Sequence, residues 1–185
     1  MKEAKWDRVS CPKKNIYLIG FMGTGKTSVS AFLKRILPME EMEMDNKIAL
    51  NEAMSVMEIF EKRGEEYFRD CETNTLKHLH GKTGIIVSCG GGVILRQENV
   101  DLMKRNGIVV LLTASPDVIY KRVKYNHSRP LLNQSMTITY ISALLNQRQE
   151  KYHQAADFAI DTDGKSVSAV GQELIKKLEV WPGFA

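Results

Sequence analysis

The stretch GFMGTGKT, Gly20–Thr27, decides the fold. It matches G-x-x-x-x-G-K-[ST], a loop whose glycines let successive backbone N–H groups turn inward around a phosphate. Its flanks agree with that reading. Asn15–Ile19 (NIYLI) is a short apolar run that reads as a buried strand. Downstream, Val29, Phe32, Leu33, Ile36 and Leu37 recur at helical spacing until Pro38 ends the helix. Strand, glycine turn and helix start together make an anion site, because the unpaired N–H groups of the first helical turn add to those of the loop. Gly23, Thr24, Gly25, Lys26, Thr27 and Ser28 are therefore the candidate nucleotide-binding residues. Lys26 can reach the β- and γ-phosphates, and Thr27 can place its hydroxyl on Mg²⁺. The motif points to a nucleoside triphosphate and leaves the phosphoryl acceptor open.

Outward from this loop, strands and helices alternate. Met39–Met44 is a poor strand by composition, expected from its position after the first helix. A short helix over 46–52 follows, then a helix started by the capping box Ser55/Glu58 and a longer one over 65–79. Ile85–Cys89 (IIVSC) is a clear buried strand running into Gly90-Gly91-Gly92, and Ile108–Leu112 (IVVLL) is another after a helix over 97–105. Ser115-Pro116-Asp117 starts a helix that fades near Val123. The polar segment 124–136 reads as a mobile lid. A long helix over 137–154, a strand over 156–160 and a last helix capped by Ser166 complete the order. Apolar strands alternating with helices predict an α/β fold with a mostly parallel sheet covered on both faces.

The chain has 185 residues, enough for one domain, read here as 15–180, with a partly disordered leader over 1–14 and a tail over 181–185. Its net charge of +4 is too mild for a nucleic-acid-binding surface and suits anionic small ligands. Cys11, Cys71 and Cys89 have neither zinc-site nor disulfide-framework spacing, which fits a reducing, cytoplasmic setting. No apolar run reaches membrane-spanning length, and the N-terminus lacks the apolar core of a signal peptide.

The base-reading motif of a GTPase is absent, since Asn46-Lys47 continues as Ile48-Ala49, and the chain is short for a motor. A small phosphotransferase must in addition orient an acceptor hydroxyl, bind the acceptor's other groups and cover the phosphates. Asp45, expected at the end of the second strand beside the phosphate loop, can accept a hydrogen bond from that hydroxyl. Glu43 falls on the same side of an extended segment and can hold a water on the magnesium, unless both belong to a solvated acidic edge. Arg69, in GEEYFRD, is either an exposed helix arginine or a ligand contact. Arg148 shares a helical stripe with Ile138, Ile141, Leu145 and Tyr152, so it either snorkels to solvent or pairs with something buried, and a ligand carboxylate would explain the second. Gly90, Gly91 and Gly92 suit close approach of backbone to a ligand. Ser88 is a further candidate at the metal or γ-phosphate, and the lid residue Arg129 can neutralise charge on the transferring group.

Together these residues resemble the shikimate kinase family, within the nucleoside monophosphate kinase-like fold. The resemblance runs from about residue 15 to 178. It rests on Gly20–Thr27, on Glu43-Met44-Asp45 where the family has D-x-D, on Phe68-Arg69, on Gly90–Gly92, on Arg129–Leu132 (RPLL), and on Arg148 with Tyr152. It implies a three-layer α/β/α P-loop fold with a five-stranded parallel sheet of order 2-3-1-4-5 and a mobile lid. It implies transfer of the γ-phosphoryl group of ATP, with Mg²⁺, to the 3-hydroxyl of shikimate in aromatic amino acid (chorismate) synthesis. Asp45 would then orient and activate the hydroxyl. Arg69, Arg148 and the triple glycine would hold shikimate, Arg129 would close over the phosphates, and Arg122 would pack on adenine. The resemblance also implies a cytoplasmic monomer without nucleic-acid or membrane partners.

Glu43 departs from the family's aspartate, and its extra methylene moves the carboxylate outward by roughly 1.5 Å. Because magnesium demands tight geometry, weaker Mg²⁺ affinity without loss of activity is expected. A gluconate or nucleotide kinase, or a nucleotide-binding protein that has lost catalysis, are the competing readings. Intact Lys26, Thr27, Asp45 and Arg129 weigh against the last.

Overall fold

A computed structural model describes residues 14–124, 137–182 and 184. Except for Lys14 and Lys124, the expectations for the leader and the lid, Arg129 included, lie outside the described residues. Five parallel strands form one sheet: β1 (Asn15–Ile19), β2 (Glu40–Glu43), β3 (Ile85–Ser88), β4 (Gly107–Thr113) and β5 (Phe158–Asp161), in the order β2-β3-β1-β4-β5. The helices are α1 (Lys26–Lys34), α2 (Met44–Glu52), α3 (Val56–His78), α4 (Gln97–Asn106), α5 (Pro116–Val123), α6 (Ile138–Ala155) and α7 (Val167–Glu179).

The central strands are buried along nearly their whole length, and apolar between Asn15 at the start of β1 and Thr113 at the end of β4, because both faces of the sheet are covered. Ile16, Leu18, Ile108, Val110 and Leu112 pack with Val29 and Leu33 of α1 and with Val170 and Leu174 of α7. Their neighbours Tyr17, Ile19, Val109 and Leu111 point the other way, into a larger core with Met44, Ile59, Phe68, Met103 and Ile141. This period-two alternation makes three layers from one sheet. The Asn15 side chain pins the start of β1 to β3, accepting from the Ile85 N–H at 3.0 Å and donating to the Lys82 carbonyl at 2.9 Å. Trp181 packs on Phe158 and Phe184 is buried, so the last residues close one edge of the α1/α7 layer.

β2 is shorter than its expected span and less buried than the central strands, as befits an edge strand. It ends at Glu43 because that side chain accepts the Asn46 N–H at 2.8 Å and caps α2. Asp45 therefore stands in the first turn of a helix instead of at a strand end, and the expected common side for Glu43 and Asp45 is lost. The two helices expected over 55–79 follow each other in α3 across a kink at Gly64 (φ 84°, ψ 171°). Ser55 and Glu58 form the expected capping box, and the Ser55 backbone N–H with Lys62 draws the exposed Glu58 carboxyl down to about 2. Among the described residues no helix is long and apolar enough to cross a membrane.

Candidate active site

The phosphate loop follows β1 at the carboxyl edge of the sheet, and α1 starts at Lys26. Gly25 sits just before the helix in the left-handed region (φ 94°, ψ 15°), a conformation that favours glycine. Thr24 is buried, its hydroxyl donating to the Phe21 carbonyl at 2.8 Å, which ties the loop to itself. The Lys26 ammonium donates to the carbonyls of Gly20 (2.7 Å) and Phe21 (3.0 Å), so it is held over the loop it is expected to serve.

A cavity of about 550 Å³ opens above this loop, lined by Gly23–Val29, Glu43, Ser88, Arg122 and the segment from Thr162 to Val167. Arg122 does not float in it. Its guanidinium donates to the Gly23 carbonyl at 3.1 Å and to the hydroxyl and carbonyl of Thr162 at 3.0 Å each. One side of the cavity thus joins the phosphate loop to the turn after β5, which the sequence shows only as a turn. Thr27 and Ser88 hydroxyls lie 3.4 Å apart on the same wall as Glu43. Two hydroxyls and a carboxylate are the oxygen donors a hard divalent cation takes, so these residues fit Mg²⁺. One Glu43 oxygen is engaged in capping α2.

A neighbouring cleft brings together Asp45, Arg69, Gly90, Gly91, Gly92 and Arg148 from α2, α3, the β3–α4 loop and α6. Met22, Val56, Phe60 and Phe68 supply its apolar walls. Its enclosed part, about 60 Å³, is smaller than a six-membered-ring acid, so the described residues wrap an acceptor only in part. Arg69 is buried. It donates to Glu65 through Nη2 (2.7 Å) and Nε (3.2 Å) and to the fully buried Glu72 through Nη1 (2.8 Å). A guanidinium carries five N–H groups. Three bonds orient Arg69 and leave two N–H groups for a ligand carboxylate. Arg148 is half-buried and stands over the Phe21 ring at 6.0 Å.

The triple glycine answers to the site's own side chains. A Cβ on Gly92 would sit 2.4 Å from the Arg69 guanidinium. A Cβ on Gly90 would sit 2.6 Å from Glu72 Oε1 and 2.7 Å from Asp45 Oδ1. Those two carboxylate oxygens are buried and have no hydrogen-bond partner among the described residues. Burial pushes the Glu72 carboxyl up to about 7, Arg69 opposing that rise and the Asp45 carboxylate adding to it. Burial likewise drives the Cys89 thiol well above its ordinary range, which makes it a poor nucleophile.

Glu72 is the site residue that sequence reasoning missed. The signal was present: Phe68, Glu72, Thr75 and Leu79 form one buried stripe of α3 and its end, and an acid in such a stripe needs a partner. Every candidate on the described residues lies at one of the two adjoining cavities. Arg129 lies outside the described residues.

Comparison with known proteins shows the family. The family model described as "Shikimate kinase" matches residues 22–179. The shikimate kinase of Thermodesulfovibrio yellowstonii is 41% identical over 166 residues, covering 90% of this chain and 95% of that protein. That of Geobacter sulfurreducens is 41% identical over 161 residues, covering 87% and 88%. Among solved structures, the shikimate kinase of Acinetobacter baumannii in complex with shikimate superposes with a TM-score of 0.86 at 31% identity, covering 90% of this chain and 93% of that one.

Proposed function

The chain belongs to the shikimate kinase family, and from that premise we propose how its own residues transfer the γ-phosphoryl group of ATP to the 3-hydroxyl of shikimate, giving shikimate 3-phosphate and ADP. The observation that carries the reading is the buried, unpartnered Oδ1 of Asp45 between the phosphate loop and two arginines. A carboxylate oxygen with nothing to accept is costly when buried, and an acceptor hydroxyl relieves that cost by donating to it. Asp45 so holds the hydroxyl toward the γ-phosphate and takes its proton as the new O–P bond forms and the bond to ADP breaks.

Arg69 and Arg148 grip the shikimate carboxylate, a pairing suited to a planar anion. Glu65 and Glu72 aim Arg69 at that carboxylate, and Gly90 and Gly92 leave the space that Glu72, Asp45 and Arg69 themselves occupy. On the nucleotide side, the loop N–H groups and Lys26 bind the β- and γ-phosphates, Lys26 exchanging the carbonyls of Gly20 and Phe21 for phosphate oxygens. Arg122 and Thr162 form the wall against which adenine packs. Arg129 supplies positive charge over the phosphates. Thr27, Ser88 and Glu43 (through water) would hold Mg²⁺, which when bound neutralises charge on the β- and γ-phosphates. The mild net charge suits a small anionic acceptor without a nucleic-acid partner, and the family resemblance supports a monomer.

A coupled ADP-release assay offering shikimate, gluconate and nucleoside monophosphates side by side tests the assignment. Shikimate alone is expected to stimulate ADP formation, and stimulation by another acceptor with none by shikimate would overturn it.

A further inference from the structure

Arg148 can serve the acceptor only if α6 is held at a fixed distance from the glycine loop. The two belong to separate parts of the chain. Tyr152 lies one helical turn after Arg148 on α6 and is buried among the core side chains. Its hydroxyl donates to the Gly91 carbonyl at 2.5 Å. Arg148, one turn earlier on α6, is near enough to the same hydroxyl for its positive charge to oppose the rise that burial gives the phenol, so the oxygen stands between the arginine and the glycine backbone. Gly91 in turn lies close against the phosphate loop: a Cβ there would meet the Gly20 carbonyl at 3.6 Å, the Met22 nitrogen at 3.7 Å and the Tyr152 hydroxyl at 3.8 Å.

We propose that Tyr152 is a positioning residue for acceptor capture, its hydroxyl setting the spacing between the Arg148 guanidinium and the Gly91 backbone across the cleft. This rests on the reading that Arg148 binds the acceptor carboxylate. Burial keeps the phenol protonated, pushing it up to about 12, so the hydroxyl is a donor throughout the neutral range. The aromatic ring fills core space that phenylalanine would fill equally well. Only the oxygen is specific to the proposed role.

The test is a double-mutant cycle of Tyr152→Phe and Arg148→Ala, with steady-state kinetics, direct titration of shikimate and thermal unfolding. Tyr152→Phe is expected to raise the shikimate KM and Kd about three- to tenfold, the scale of one hydrogen bond. The ATP KM should stay within twofold, kcat within threefold and Tm within a few degrees. Combined with Arg148→Ala, the Tyr152→Phe change should weaken shikimate no further, because the arginine it positions is gone. An unchanged shikimate KM in Tyr152→Phe, with Arg148→Ala still weakening shikimate, would remove Tyr152 from positioning and leave the carboxylate assignment standing. A fall in Tm with a parallel rise in both KM values would make Tyr152 a core residue only. If Arg148→Ala itself leaves shikimate affinity unchanged, the carboxylate reading fails and the Tyr152 proposal falls with it.

Discussion

The nucleotide and acceptor halves of the site are built differently. The nucleotide half is mainly backbone: one loop of eight consecutive residues, held by local bonds such as Thr24 to Phe21 and Lys26 to Gly20. The acceptor half is mainly side chain. Asp45, Arg69, Glu72 and Arg148 come from three helices and meet over a glycine floor. A backbone site fails when its dihedrals cannot be reached. A side-chain site fails when charge or space is misplaced. The two halves should therefore respond to different substitutions.

The largest effect is expected at their junction. Asp45→Asn keeps the shape and removes the base, so kcat should fall by about 10²-fold or more while ATP binding stays near wild type. Near-normal turnover, measured by ADP release, would take Asp45 out of the chemistry. Next comes a matched pair of glycine substitutions. Gly92→Ala drives a methyl to within 2.4 Å of the Arg69 guanidinium. The shikimate KM should rise about tenfold or more with the ATP KM within twofold, on the scale of overpacking in a tight site. Gly25→Ala meets no atom within 4 Å, but its φ of +94° strains an L-residue. That strain, about 1 kcal/mol, should raise the ATP KM about fivefold and spare shikimate. If both variants damage both substrates equally, the two halves are one structural unit.

This contrast also explains what the sequence made legible. The phosphate loop could be read directly because its function is a property of contiguous residues. β2 was legible only by position, since its residues are Glu40, Glu41, Met42 and Glu43 and the strand lies at the sheet edge. Its end was not legible, because it depends on a Glu43 oxygen reaching the Asn46 N–H. Arg148 stood out as a charge in an apolar stripe. Glu72 carried the same signal and was passed over beside the more conspicuous Arg69. In the sequence the glycine triplet suits close approach of a ligand, whereas in the structure much of that room is taken by Arg69, Glu72 and Asp45. Such long-range packing has no local sequence signature.

Glu72 gives a pH test of the acceptor half. Its carboxyl titrates near 7 in the folded protein, against 4.5 for an ordinary glutamate. Between those values the folded state keeps a proton that the unfolded chain has lost, so its contribution favours folding most at low pH. Stability should fall as pH rises through that window and level off above it. Glu72→Gln should flatten this part of the profile, read from urea unfolding between pH 5 and pH 8. An unaltered slope would show that the folded protein does not hold that proton. The smallest effect is expected at Glu43. Glu43→Asp should lower the Mg²⁺ concentration for half-maximal rate about two- to threefold, since a shorter carboxylate suits the tight geometry of magnesium. An unchanged or higher requirement would contradict it.

Acceptor capture depends most on arginines seizing a carboxylate beside the phosphate loop. Comparing turnover of shikimate with that of its methyl ester tests this without altering the protein. The ester keeps every hydroxyl and loses the charge. Losing the charge-assisted hydrogen bonds of a buried and a half-buried arginine costs about 3 kcal/mol, so kcat/KM should drop by about a hundredfold. Equal kcat/KM for acid and ester would contradict the grip by Arg69 and Arg148.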